Sequence, residues 1–145
     1  MSYSTWHNYG YGICVDDIVC SDVERLEQLL AMAPNFSTKL HGLLTESGLT
    51  EPAWVDYMEF DQEFQLGLAT ILKEVLEETV GILMTACDDY NSTAYLLYQP
   101  RYPWHLADAE RKLTEEQLVG IFSRYVRILT DEPVEIDHQA VENGG

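Results

Sequence analysis

Four histidines, His7, His41, His105 and His138, are the side chains best suited to proton transfer or metal binding near neutral pH, and they are scattered along the chain. None stands at HxxxH, HExxH or His-Cys spacing, the separations at which one helix or loop brings two ligands to one ion. Asp137 and His138 are adjacent, but neighbours on a strand point to opposite faces, so the acid would not orient the base. The run Asp88-Asp89-Tyr90-Asn91-Ser92-Thr93 has the oxygen density of a calcium loop. It lacks the glycine and the terminal glutamate that such a loop requires, and these residue types favour a plain hairpin turn. Cys14, Cys20 and Cys87 are odd in number and have neither CxxC spacing nor a basic neighbour in sequence. They read as free thiols in a reducing compartment, Cys87 as a small buried hydrophobe. No Gly-x-Ser-x-Gly, Walker loop or GxGxxG occurs. The expectation is a protein that is not an enzyme, with no catalytic residues, no cofactor and no metal.

What the chain does have is carboxylate. It holds 25 Asp and Glu against 8 Lys and Arg, a net charge of -17 on 145 residues. Charged residues make up only 23%, so the imbalance comes from missing cations rather than from an acidic tail. Residues 46–63 carry Glu46, Glu51, Asp56, Glu59, Asp61 and Glu63 with no Lys or Arg, and 128–145 add Asp131, Glu132, Glu135, Asp137 and Glu142, again unopposed. Glu74, Glu77 and Glu78 are spaced three and four apart on one helix face, where like charges repel by a few tenths of a kcal/mol per pair. Such a molecule repels nucleic acid and anionic membrane and is drawn to basic surfaces. Two readings stand side by side: a solvated surface that serves solubility, or a field aimed at a basic partner. The second requires the carboxylates to be gathered into one continuous face of a rigid body.

The elements that would position them are legible from period and punctuation. Residues 9–18 alternate aromatic and apolar side chains and predict a strand, with Gly10 and Gly12 suggesting an edge or a bulge. Ser21-Asp22-Val23-Glu24 reads as a capping box for a helix with a Val23, Leu26, Leu30, Ala33 stripe that Pro34 stops. A second helix carries Phe36, Leu40, Leu43 and Leu44 and ends at Gly48. Thr50-Glu51-Pro52 opens a short third helix with Trp54, Val55 and Met58. The longest helix is predicted from about 61 to 79, with Phe64, Leu68, Ile71, Leu72 and Val75 inward. Residues 82–87 and 94–98 predict a hairpin, and Pro100 and Pro103 prevent 99–104 from being a central strand. Thr114-Glu115-Glu116-Gln117 is a second capping box, followed by Leu118, Ile121, Phe122, Tyr125 and Leu129, with Arg124 and Arg127 late in the helix. Residues 134–137 predict a last strand, and 142–145 should fray. The expected fold class is α+β, a single domain over 1–145 with a small, mostly antiparallel sheet of about four strands and about five helices.

With 46% apolar residues and 11% aromatic, the chain is not the acidic disordered type, which cannot bury enough surface to offset ordering entropy. No apolar run approaches the roughly 18 residues of a membrane span, and the first residues lack the basic flank and apolar stretch of a signal peptide. The expected location is the host-cell cytosol, with no membrane and no direct nucleic-acid partner. By size, charge and want of catalytic motifs the whole chain resembles the small acidic proteins that phages and mobile elements use against host nucleases, the anti-CRISPR and antirestriction class. That resemblance carries no residue across. It implies an inhibitor of DNA-mimic type whose partner is a basic nucleic-acid-binding protein, a Cas effector or a restriction enzyme, met by a monomer or a homodimer. Glu51, Asp56, Glu59, Asp61, Glu63, Glu74, Glu77 and Glu78 are the candidate partner-binding acids. Trp6 and Trp104, in expected loops or strand ends, are candidate aromatic anchors. Those aromatics also support the alternative of an adaptor module whose contacts are apolar and insensitive to salt.

Overall fold

The structure is a computed structural model that describes residues 5–60, 67–89, 93–99 and 114–144, with backbone alone for 5–9 and 142–144. In chain order the elements are β1 (Thr5–Cys14), a 3-10 turn (Val15–Asp17), α1 (Val23–Leu30), α2 (Pro34–Glu46), α3 (Trp54–Met58) and α4 (Leu68–Val80). The hairpin β2 (Thr85–Asp88) and β3 (Ala94–Tyr98) follows, then α5 (Glu115–Leu129) and β4 (Asp137–Gly144). The strands form an antiparallel sheet in the order β2-β3-β1-β4. The α+β class and the antiparallel sheet agree with the reading of the sequence.

Helices cover one face of that sheet. Ile13 and Leu96 are register partners on β1 and β3, and both are buried in a core shared with Leu26, Leu30, Leu40, Leu72, Val75 and Phe122 from the helices. Helix α5 lies against β1, α4 against β2 and β3, α1 on α5, and α2 joins α1 to α4 with α3 at its side. Full burial of each such Leu or Phe contributes about 1.5–3 kcal/mol. Leu97 and Val141 point to the opposite face by strand alternation and are also buried.

Most expected elements are present, with boundaries corrected by backbone chemistry. The first strand runs from Thr5 to Cys14 rather than over 9–18, because the chain tightens into the 3-10 turn at Val15. Its glycines mark neither an edge nor a bulge, since β1 lies between β3 and β4. They permit close approach: a Cβ at Gly10 would sit 2.8 Å from Leu97 Cβ and 2.9 Å from the Tyr98 carbonyl oxygen, and one at Gly12 would run into the Leu96 carbonyl. Asp22, not Ser21, caps α1, accepting from the Glu24 N–H at 2.9 Å. Pro34 opens α2 at its first turn, where a missing N–H costs nothing. In α3 the buried residue is Tyr57, while Val55 is exposed. Helix α4 begins at Leu68 after Gly67 with φ 54, not at about 61; residues 61–66, with Phe64, lie outside the described residues.

The second capping box forms as expected. Thr114 Oγ1 accepts from the Gln117 N–H at 3.2 Å and Gln117 Oε1 accepts from the Thr114 N–H at 2.9 Å. The last strand is Asp137–Gly144 rather than 134–137, and of the residues expected to fray, Glu142–Gly144 pair with β1 as far as Thr5↔Gly144. Backbone pairing ties down a tail whose side chains show no strand pattern. Among the described residues no helix is long and apolar enough to cross a membrane.

The glycine packing yields a paired expectation. Gly12→Ala should destabilise the chain by about 3 kcal/mol, the upper range for overpacking. Gly42→Ala, in the exposed middle of α2 with open space around it, should stabilise by about 0.5–1 kcal/mol. Urea denaturation of both variants checks the pair; equal midpoints would contradict the close approach at β1.

Candidate functional site

Five residues are too few for a stable helix on their own, so α3 depends on what holds it. At its start Asp56 Oδ2 accepts the Ala53 N–H at 2.7 Å. At its centre the buried Tyr57 donates its hydroxyl to Glu27 of α1. The same carboxylate meets His41 Nε2 of α2 at 2.8 and 3.1 Å, and the His41 and Tyr57 rings meet edge to face at 6.3 Å. Burial first, then the hydrogen bond to Glu27 and its charge, push the Tyr57 phenol up.

Ser37, His41 and Glu27 follow one another in the order of a hydrolytic triad, with Ser37 Oγ 3.1 Å from His41 Nδ1. The chemistry fails at that nitrogen. Nδ1 lies 2.7 Å from the Ser37 carbonyl oxygen, which can only accept, so Nδ1 carries a proton and cannot take one from the hydroxyl. The hub is a clamp between three helices.

Two clefts flank α3. The larger, about 440 Å³, opens between the 3-10 turn, α3 and the start of α4, and Asp16, Cys20, Trp54, Met58, Glu59 and Leu68 are among the residues that line it. The smaller, about 130 Å³, lies between the end of α2 and α3, with Leu43, Asp56, Glu59 and Phe60 in its wall. Glu59 borders both. No Lys or Arg is among the described residues lining either cleft. Asp16 and Asp17 are exposed on the 3-10 turn. The Cys14 thiol beside them is pushed up by burial and then by the charge of Asp17.

The candidate acids divide by environment. Glu51 and Glu59 are exposed, and neither meets a cation among the described residues. Asp56 serves the α3 cap. Glu74 and Glu77 flank Lys73, with Nζ 3.9 and 2.7 Å from their carboxylates, so the expected repulsion on α4 is relieved. Glu78 is committed to the fold: its two oxygens accept from the Asn35 and Phe36 N–H groups at 3.0 and 2.9 Å, capping α2 from another helix. Asp61, Glu63 and Trp104 lie outside the described residues. Trp6 has its backbone in β1, paired with Asn143, and its side chain is outside them too.

Among the described residues, exposed carboxylates are spread over several elements. They occur on the 3-10 turn, α1, α2, α3, the start of α5 and the segment leading to β4. The described cations concentrate elsewhere: Arg25 pairs with Asp131 at 2.9 Å, and Arg127 lines a hollow with the same Asp131 and Glu132. Among the described residues, no Lys or Arg lines the clefts between α3, the 3-10 turn and α2. Sequence reasoning missed Asp16, Asp17 and the Glu27–His41–Tyr57 clamp, because each depends on elements distant in the chain.

The remaining chemistry-bearing residues stay apart. The Cys87 thiol is pushed up to about 11, by burial and then by Asp88, which disfavours a nucleophilic thiolate. Asp89 closes its turn through Thr93, whose N–H it accepts at 3.0 Å. His138 Nε2 meets Glu115 at 2.9 Å, while Asp137 accepts the His138 N–H at 2.7 Å instead of orienting its ring. Among the described residues no three metal-ligating side chains come together. No family model matches the chain, and no curated protein or solved structure matches it either.

Tyr57 holds its proton in the folded chain beyond the value of about 10 at which an unfolded tyrosine loses it. Stability is therefore fully present below pH 10 or so and falls above it, where the unfolded chain releases a proton that the folded chain retains. Tyr57→Phe should cost about 1 kcal/mol near neutrality and flatten this alkaline decline, as read by denaturant unfolding at increasing pH. An unchanged decline would remove Tyr57 as its cause.

Proposed function

We propose that the chain is a non-catalytic acidic inhibitor that binds the basic nucleic-acid groove of another protein and competes there with DNA or RNA. The partner class is a defence nuclease, a Cas effector or a restriction enzyme, as the resemblance to phage and mobile-element inhibitors implies. The observation that carries the reading is the acidic surface around α3, where Asp16 and Glu59 share one cleft and Asp56 and Glu59 the other, with no Lys or Arg among the described residues lining either. A local patch thus stands in place of one continuous acidic face, within an overall charge of -17. A field of that sign speeds encounter with a basic channel about 10- to 1000-fold at low salt.

Purified nucleases of both kinds, loaded with fluorescent DNA, provide the test. The chain should lower DNA occupancy, and the effect should weaken steeply as salt rises. Glu51→Lys combined with Glu59→Lys should reduce kon by about tenfold and flatten the salt dependence. Inhibition unchanged by this double reversal would overturn the reading.

A further inference from the structure

Both clefts beside α3 are concave and partly apolar, and the larger is the one with room for a ligand. Its volume of about 440 Å³ lies in the range of roughly 300–1,000 Å³ typical of ligand sites. Val15, Ile18 and Leu68 are buried in its wall, Trp54 and Met58 are partly exposed, and Asp16 and Glu59 bring two exposed carboxylates. An anion would be repelled there. A metal ion would need a gathered set of ligands, which the described residues do not form. The complementary group is an organic cation with an apolar stem.

We infer that this cleft receives an arginine side chain of the basic partner, its guanidinium between Asp16 and Glu59 and its stem along Trp54 and Met58. The inference rests on the proposal above that the partner is a basic protein. Arginine fits better than lysine for three reasons. Its planar fork of five donors can serve two carboxylates at once. It stacks on an indole face. It is also less strongly hydrated than an ammonium. A wholly exposed acidic patch would draw both residues alike; a cleft with an aromatic wall discriminates between them.

Nona-arginine and nona-lysine peptides, equal in length and charge, are the probes, titrated into the full chain at low ionic strength. The indole N–H resonance of Trp54, assigned through Trp54→Phe, reports occupancy. Nona-arginine should bind at least about threefold more tightly than nona-lysine and shift that resonance. Asp16→Asn with Glu59→Gln should weaken nona-arginine about tenfold, the sum expected of two partly exposed ion pairs. Glu116→Gln with Glu135→Gln removes the same charge from exposed acids outside the cleft and should weaken it less than twofold. Equal losses in the two double variants, or equal binding of the two peptides, would overturn the arginine seat and leave the acidic-surface reading standing. Failure of both peptides to bind the unaltered chain would overturn both.

Discussion

The carboxylates that hold this fold together bond mostly to neutral donors, because the chain supplies few cations. Glu78 caps α2 through two backbone N–H groups, Asp22 caps α1 and Asp56 caps α3, and Asp89 closes the hairpin turn. This choice of partner has an electrostatic consequence. A salt bridge satisfies a carboxylate and cancels its charge. An amide or a phenol satisfies the oxygen atoms and leaves the charge nearly intact, offset at most by the partial positive charge of a helix start, about half a unit. The same acids can thus be structural and still contribute to the field around the molecule.

That constraint fixes the mount on which the candidate site sits. Glu78 ties the start of α2 to α4, and Glu27 ties its middle to α1 and α3. Leu40 and Leu44 bury the inner face of the same helix. Helix α2 is therefore held along its length, and α3, too short to be stable alone, inherits its position from α2 and from buried Tyr57. Glu59 follows directly on α3, so its place between the two clefts is set by the same packing. A rigid anionic surface loses less conformational entropy on binding than the same residues on a loop.

What could be seen in the sequence was what is local. The box at Thr114 and Gln117 was legible because both partners lie within one turn. The stripe from Leu118 to Leu129 was legible because helical period alone determines it. The cap of α1 was placed one residue early because Ser21 and Asp22 are both good caps, and only the backbone path decides between them. Gly10 and Gly12 were seen but misread: their reason is the approach of Leu97 and of the Leu96 and Tyr98 carbonyls from β3, a neighbour that no local pattern reveals. The tail's residues have no strand propensity of their own, and its place in the sheet comes from pairing with β1. The Glu27–His41–Tyr57 clamp was invisible for the same reason, since three helices each contribute one member. The acidic block at 51–63 is evident from composition; that Asp16 joins Glu59 in one cleft follows only from the fold, which brings the 3-10 turn and α3 to its two sides.

Net charge and local shape act on different steps of association. At physiological ionic strength the screening length is about 8 Å, so charges on α5 or near β4 contribute little to contacts made at α3. Their influence is on encounter, and it fades as salt is added. Charges at the cleft act within the screening length, against an apolar wall that lowers the local dielectric, and so persist in the bound complex. A purely electrostatic decoy would therefore arrive quickly and leave quickly. Retention requires some contact that salt does not screen, and the two clefts beside α3 bring carboxylates and apolar area together, the larger beside Trp54 and Met58. In the proposed complex the acid excess would set how often the partner is met, and the packing around α3 how long it stays.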